Sequence, residues 1–180
     1  MFIIKTKFLY FQIFSTIFVI ILGSLLHFVY DWSSQNPIIA NFSAVNESTW
    51  EHLKLLFFPM LITVIIGLFI FSKDLPNFLC ANTIGIIVAL LFIVIFFYTY
   101  TGVFGINSDI LNITSFVVAV IFGEFTAYKL VNSNLGCNNL IATIAIIALS
   151  VCFLLFTYVP PKIPLFRDPI NSTYGIKNSN

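Results

Sequence analysis

The stretch FLCANTIGIIVALLFIVIFFYTY, residues 78–100, runs for 23 residues without a single charge. A helix rises about 1.5 Å per residue, so a run of this length crosses the roughly 30 Å of hydrocarbon in a bilayer. Its apolar residues are continuous rather than alternating, which excludes a β-barrel strand. On either side lie four more runs of the same kind, Phe8–Tyr30, Leu53–Phe71, Ile110–Tyr128 and Leu140–Val159. The expected fold is therefore all-α: a bundle of five transmembrane helices with an interfacial loop and a Pro-rich C-terminal tail at 160–180. Residues 1–180 read as a single integral membrane domain.

Composition agrees. Apolar residues make up 59% of the chain and charged residues 8%, against about 25% charged in a soluble domain. The bilayer is thus the expected first partner. A net charge of +1 gives no electrostatic case for nucleic acid. A protein partner or a homo-oligomer stays open. No two of the cysteines have C-x-x-C spacing, so neither a disulfide framework nor a metal or redox role is expected for Cys80, Cys137 and Cys152. Lys5 and Lys7 precede the first run as in a signal peptide, but the run is too long for one and no small-residue cleavage site follows. It reads as an uncleaved span.

Within the spans, Pro59 frees the carbonyl of Leu55 and bends its helix. Ala81, Gly85 and Ala89 recur one turn apart in the third span, as do Ala119, Gly123 and Ala127 in the fourth. Such stripes allow close backbone approach in lipid, so these two spans are expected to pack together.

An odd number of spans sorts the polar residues. One face collects His27, Asp31, Glu47, Glu51, His52, Lys54, Asp109, Lys162, Arg167, Asp168 and Lys177; the other holds Lys5, Lys7, Lys73, Asp74 and Lys129. Early positive charge favours an inside N-terminus, hence a polar face and C-terminus outside the cell membrane.

The segment NESTWEHLK, residues 46–54, carries the most chemistry. Ser48 and Glu51 have capping-box spacing, and Trp50 suits the interface, so a plain helix start is one reading. The other adds His27 and Asp31, four apart and hence on one helix face, with Asp31 orienting the imidazole. Their meeting with Glu47, Glu51 and His52 would build a buried polar network, a metal site or a solvated interfacial cluster. Two imidazoles and a carboxylate suit zinc or a similar ion, with His27, His52 and Glu51 as candidate ligands. There is no H-E-x-x-H. Asp109 reads as an N-cap or first-turn acid of the fourth span, and Tyr98 and Tyr100 as an aromatic belt. Glu124 is the one ionisable group deep inside a run, a functional hypothesis by default, against a protonated or Tyr128-bonded carboxyl. The tail PPKIPLFRDP, residues 160–169, cannot be an α-helix; it reads as a strap across the polar face, with Arg167 reaching a loop carboxylate, or as a disordered end.

Residues 23–33, 45–54, Phe97–Gly102 with Asp109-Ile110, 160–169 and Tyr174-Gly175-Ile176 together resemble an uncharacterised family of small prokaryotic membrane proteins, a domain of unknown function. The resemblance covers nearly the whole chain. It implies the same architecture and no known reaction, substrate or cofactor. Where the family pattern has Pro-Pro-His, this chain has Pro160-Pro161-Lys162, which takes away a metal ligand from the tail. Three functions remain in play: a binding or assembly protein whose pocket takes a ligand, lipid or partner, a transporter or channel component using Glu124, and a membrane-embedded metal-dependent hydrolase or transferase.

Overall fold

The computed structural model describes residues 2–133 and 138–176. Cys137 and Lys177 lie outside the described residues. Five helices are long and apolar enough to cross a membrane, and the described residues contain no strand. They are α1 (Phe2–Trp32), α3 (Thr49–Phe71), α4 (Phe78–Phe104), α5 (Asp109–Val131) and α6 (Asn139–Tyr158), with a one-turn helix α2 (Pro37–Ala40) in the loop after α1. The chain is a multi-pass membrane protein. Large apolar side chains such as Phe69, Ile110 and Leu140 point outward, as a surface solvated by acyl chains requires.

Helices α1, α3, α4 and α5 form a ring in which each packs on the next, and α6 lies outside against α4. The α4–α5 seam is the most extensive, and its cause is the pair of small-residue stripes. Ala81, Ala89, Ala119 and Ala127 are fully buried. A Cβ on Gly85 would stand 2.5 Å from the carbonyl oxygen of Gly123, and one on Gly123 would stand 2.7 Å from that of Gly85. No side chain fits there, so the backbones touch. A second close approach joins α1 to α3. A Cβ on Gly23 would collide with the Leu55 carbonyl oxygen, the group that Pro59 strips of its helical donor.

Several elements differ from expectation for identifiable reasons. Helix α1 starts at Phe2 rather than Phe8, and α3 at Thr49 rather than Leu53, because helices continue past the hydrocarbon into polar residues. The capping box is half built. Ser48 Oγ accepts from the Glu51 amide at 3.4 Å, but the Ser48 amide donates to Asn46 Oδ1 at 2.9 Å while the Glu51 carboxylate is engaged elsewhere. Trp50 is no interface anchor; it stacks among Phe153, Phe156 and Phe166, with centroids 4.5, 5.5 and 4.8 Å away. Cys80 is disulfide-bonded, against the expectation that no cysteine pairs.

The tail is an ordered strap. Pro164–Phe166 make a single 3-10 turn that drops Phe166 onto Trp50 and Phe156. The strap is tied down by Asn46 Nδ2 donating to the Gly175 carbonyl at 3.0 Å and by the Ile176 amide donating to that of Thr157 at 3.2 Å. Loop and tail thus meet at one end of the bundle.

Candidate functional site

At that end the polar residues divide into a dry bolt and a wet cleft. Lys54 and Glu51 form the bolt. They lie one helical turn apart on α3 and are fully buried. The Lys54 ammonium has three hydrogens and three partners: Glu51 Oε2 at 2.5 Å, the Ala40 carbonyl at 2.8 Å and Thr157 Oγ1 at 2.9 Å. Glu51 Oε2 also accepts from the Val45 amide at 3.1 Å. Loop, α3 and α6 are thereby held on one charge pair, and the Lys54 ammonium has no proton left to offer a ligand.

The cleft lies between α1, α3, α4 and α5 and has a volume of about 370 Å³. Its polar end holds His27, Glu47, His52 and Asp109, and its walls are largely apolar, among them Phe28, Phe97 and Phe116. Ligand-capable atoms of His27, Glu47 and His52 lie within 4.8 Å of one another. His52 Nε2 is 3.4 Å and His27 Nε2 4.0 Å from the Glu47 carboxylate, and the two imidazole centroids are 5.1 Å apart. The side chains are partly open to solvent, at 31% for His27, 35% for His52 and 43% for Glu47. His52 Nδ1 sits 2.9 Å from the Ser48 carbonyl, which can only accept, so Nδ1 carries a hydrogen. Its Nε2 then either holds a second hydrogen against the carboxylate or presents a lone pair to a metal. The contact with His52 holds the Glu47 carboxyl below its ordinary range, with the fields of both imidazoles assisting against its burial.

The remaining candidates are placed as follows. Asp31 does not orient His27: it is exposed and lines a separate hollow of about 220 Å³ with Tyr30 and Asp168, and the buried Nδ1 of His27 has no hydrogen-bond partner. Glu51, paired with Lys54, is absent from the ligand-capable trio, and Glu47 stands there instead. Asp109 is a first-turn acid of α5, not its N-cap, which is Ser108. Arg167 does not reach the loop; its guanidinium donates to Ser172 Oγ at 2.8 Å within the tail. Asp168 makes the link instead. Its carboxylate accepts from the Ile170 amide at 2.7 Å, the Asn171 amide at 3.1 Å and the Glu47 amide at 3.5 Å. Burial opposes the Asp168 charge, but these donors outweigh it and hold the carboxyl below the usual range. Tyr100 is buried and bonded to Asn112, so it fastens the α4–α5 turn rather than marking an interface.

Glu124 lies apart, buried where α1, α3 and α5 meet. Its partner is Ser15 at 2.5 Å, and Ser15 in turn contacts Thr63 at 2.9 Å. Tyr128 stacks on Phe8 instead. Gln12 donates to the Glu124 backbone carbonyl at 3.1 Å. Sequence reading passed over Gln12, Ser15 and Thr63. The available signal was three polar side chains inside otherwise apolar runs, two of them one helical turn apart.

The fold and site define a multi-pass helical membrane protein whose cleft joins a His/carboxylate end to apolar walls. The chain belongs to a family of unknown function (DUF6512), whose model matches residues 2–176. No curated protein and no solved structure matches it.

Proposed function

We propose that this protein binds an amphiphilic molecule from the membrane, holding its polar head on a divalent metal ion bound by His27, Glu47 and His52. One observation carries the reading: three ligand-capable atoms converge at the polar end of a cleft whose walls are largely apolar. Tetrahedral zinc with bonds of about 2.0–2.2 Å separates its ligands by roughly 3.3–3.6 Å. His52 Nε2 lies 3.4 Å from Glu47 Oε2, which fits directly; His27 Nε2 lies 4.0 Å from the other oxygen, Oε1, and with one ligand atom per residue all three fall within 4.8 Å of one another, so an ion would draw the side chains together. Three protein ligands leave a fourth position for a head group or a water. Half-exposed Phe28 on α1 and exposed Ile113 on α5 line the same cleft and offer lipid a lateral way in.

A second reading, metal-dependent hydrolysis or group transfer on that amphiphile, rests on the same open position. Asp109 beside the cleft would serve as a base for a metal-bound water. Metal and lipid content of the purified protein tests the first reading. Near-stoichiometric zinc, lost in both His27→Ala and His52→Ala, supports it. Full metal occupancy in either variant, or none in the wild type after zinc loading, overturns it. For orientation, we propose the cleft on the external side of the cell membrane from the early lysines Lys5 and Lys7. The Cys80 disulfide weighs the other way, because such bonds persist in oxidising compartments. Labelling of single cysteines placed at Asn36 and Ile170 decides the side.

A further inference from the structure

We infer that Glu124 is a proton-binding site inside the membrane, its carboxyl protonated and donating into a chain formed by Ser15, Thr63 and the Met60 carbonyl. The inference comes from counting hydrogens. Three oxygen–oxygen contacts follow one another: Glu124 Oε1 to Ser15 Oγ at 2.5 Å, Ser15 Oγ to Thr63 Oγ1 at 2.9 Å, and Thr63 Oγ1 to the Met60 carbonyl at 2.8 Å. Each contact needs one hydrogen between its oxygens. Ser15 and Thr63 bring one hydroxyl hydrogen each, and a carbonyl brings none. The Thr63 hydrogen goes to Met60, and the Ser15 hydrogen goes to Thr63. The third hydrogen must come from Glu124.

A second observation agrees. Glu124 is 4% exposed, and its other oxygen, Oε2, is buried with no partner. As the bare carbonyl oxygen of a neutral acid, Oε2 costs little more than an unpaired acceptor. As half of an ionised carboxylate with one hydrogen bond, it would be a buried charge lacking compensation. The charged and titratable groups on the packed elements do not supply that compensation. Lys5, Lys7 and Tyr10 lie a turn or more before Ser15 on α1. Glu51, His52 and Lys54 sit at the opposite end of α3. On α5, Tyr128 stacks on Phe8 and Lys129 lies over the Phe125 ring. Helix α4 carries no charged residue. Among the described residues none forms an ion pair with Glu124. The site lies seven residues from the end of α5, about 10 Å along the helix and within hydrocarbon depth. It shares no residue with the cleft.

Infrared spectroscopy of the purified protein in lipid at neutral pH tests this. The wild type should show the carbonyl stretch of a protonated carboxylic acid, moved in heavy water and lost in Glu124→Gln. Thr63→Val should leave the acid protonated but move its band, because Ser15, deprived of its acceptor, holds the Glu124 hydrogen less strongly. Should Glu124→Gln fail to fold, Glu124→Asp serves, with the band displaced rather than lost. A wild-type spectrum without a band assignable to Glu124 overturns the inference. So does a band whose position Thr63→Val leaves unchanged.

Discussion

Replacing Lys54 with methionine removes one charge of a pair that has almost no contact with solvent. Lys54 is 0% and Glu51 1% exposed, so screening by water does not soften the loss. Stripping one partner from a buried ion pair costs about 3–5 kcal/mol, chiefly because the surviving charge stays buried alone. The lost bonds to the Ala40 carbonyl and Thr157 add roughly 1 kcal/mol each, partly contained in that figure. For a chain of this size, about 3–5 kcal/mol corresponds to a fall in melting temperature of roughly 6–20 °C. The double variant Glu51→Gln, Lys54→Met behaves differently. Glutamine keeps an acceptor for the Val45 amide, which now donates to Glu51, and no unpaired charge remains. Its cost should fall to about 2 kcal/mol, roughly 1 for each of the two acceptors, the Ala40 carbonyl and Thr157 Oγ1, left without the ammonium, making it more stable than Lys54→Met alone. Thermal unfolding in one detergent, followed by tryptophan fluorescence, compares the three proteins. A loss below about 1 kcal/mol in Lys54→Met, or a double variant no more stable than Lys54→Met, would refute a buried, mutually compensating pair.

Other predictions follow from contacts already described. Gly85→Ile and Gly123→Ile should each destabilise by at least about 1–3 kcal/mol through overpacking, whereas Gly102→Ala, whose Cβ would meet nothing within 4 Å, should melt close to wild type; equal melting of all three would remove the stripe from the packing. The native Asp168 carboxyl is held below its ordinary range, so its contribution to the strap is complete above about pH 4, the unfolded value, and is lost as pH falls through the lower native one. In a Trp32→Phe background, the Trp50 emission should therefore change in acid as Phe166 leaves, and Asp168→Asn should abolish or displace that transition; an unaltered acid transition would sink the idea. Phe166→Ala should expose Trp50 to aqueous quencher without touching His27, Glu47 or His52, and unchanged quenching would mean the stacking does not hold the strap.

The spans were legible because hydrocarbon length is a one-dimensional constraint: each run of about 20 apolar residues announces itself without knowledge of its neighbours. The α4–α5 seam was legible for the same reason, since Gly85 and Gly123 each sit at the centre of a periodic stripe. The polar end was only half legible. The count of spans gathered His27, Glu47, Glu51 and His52 on one face, but nothing in the sequence says that Lys54 claims Glu51 and leaves Glu47 for the imidazoles. That choice depends on where α6 brings Thr157 and where the loop brings the Ala40 carbonyl. Arg167 was given the link to the loop on charge alone, yet Asp168 makes it through a backbone amide, and backbone donors carry no mark in a sequence. Gln12, Ser15 and Thr63 escaped notice because single hydroxyls and amides are common in membrane helices; only their meeting with Glu124 distinguishes them.

The strap also sets an order of events. A ribosome releases α1, then the loop with Glu47, then α3, long before Asp168 and Gly175 exist, so the segment bearing Glu47 waits unfastened while the remaining spans are threaded into lipid. Residues 160–176 must themselves be delivered to the cleft's side of the bilayer after α6 has been inserted. Fastening of the Glu47 loop thus comes only after all five spans have been made, and a pause after Tyr158 would leave the spanning helices in place with that loop untied.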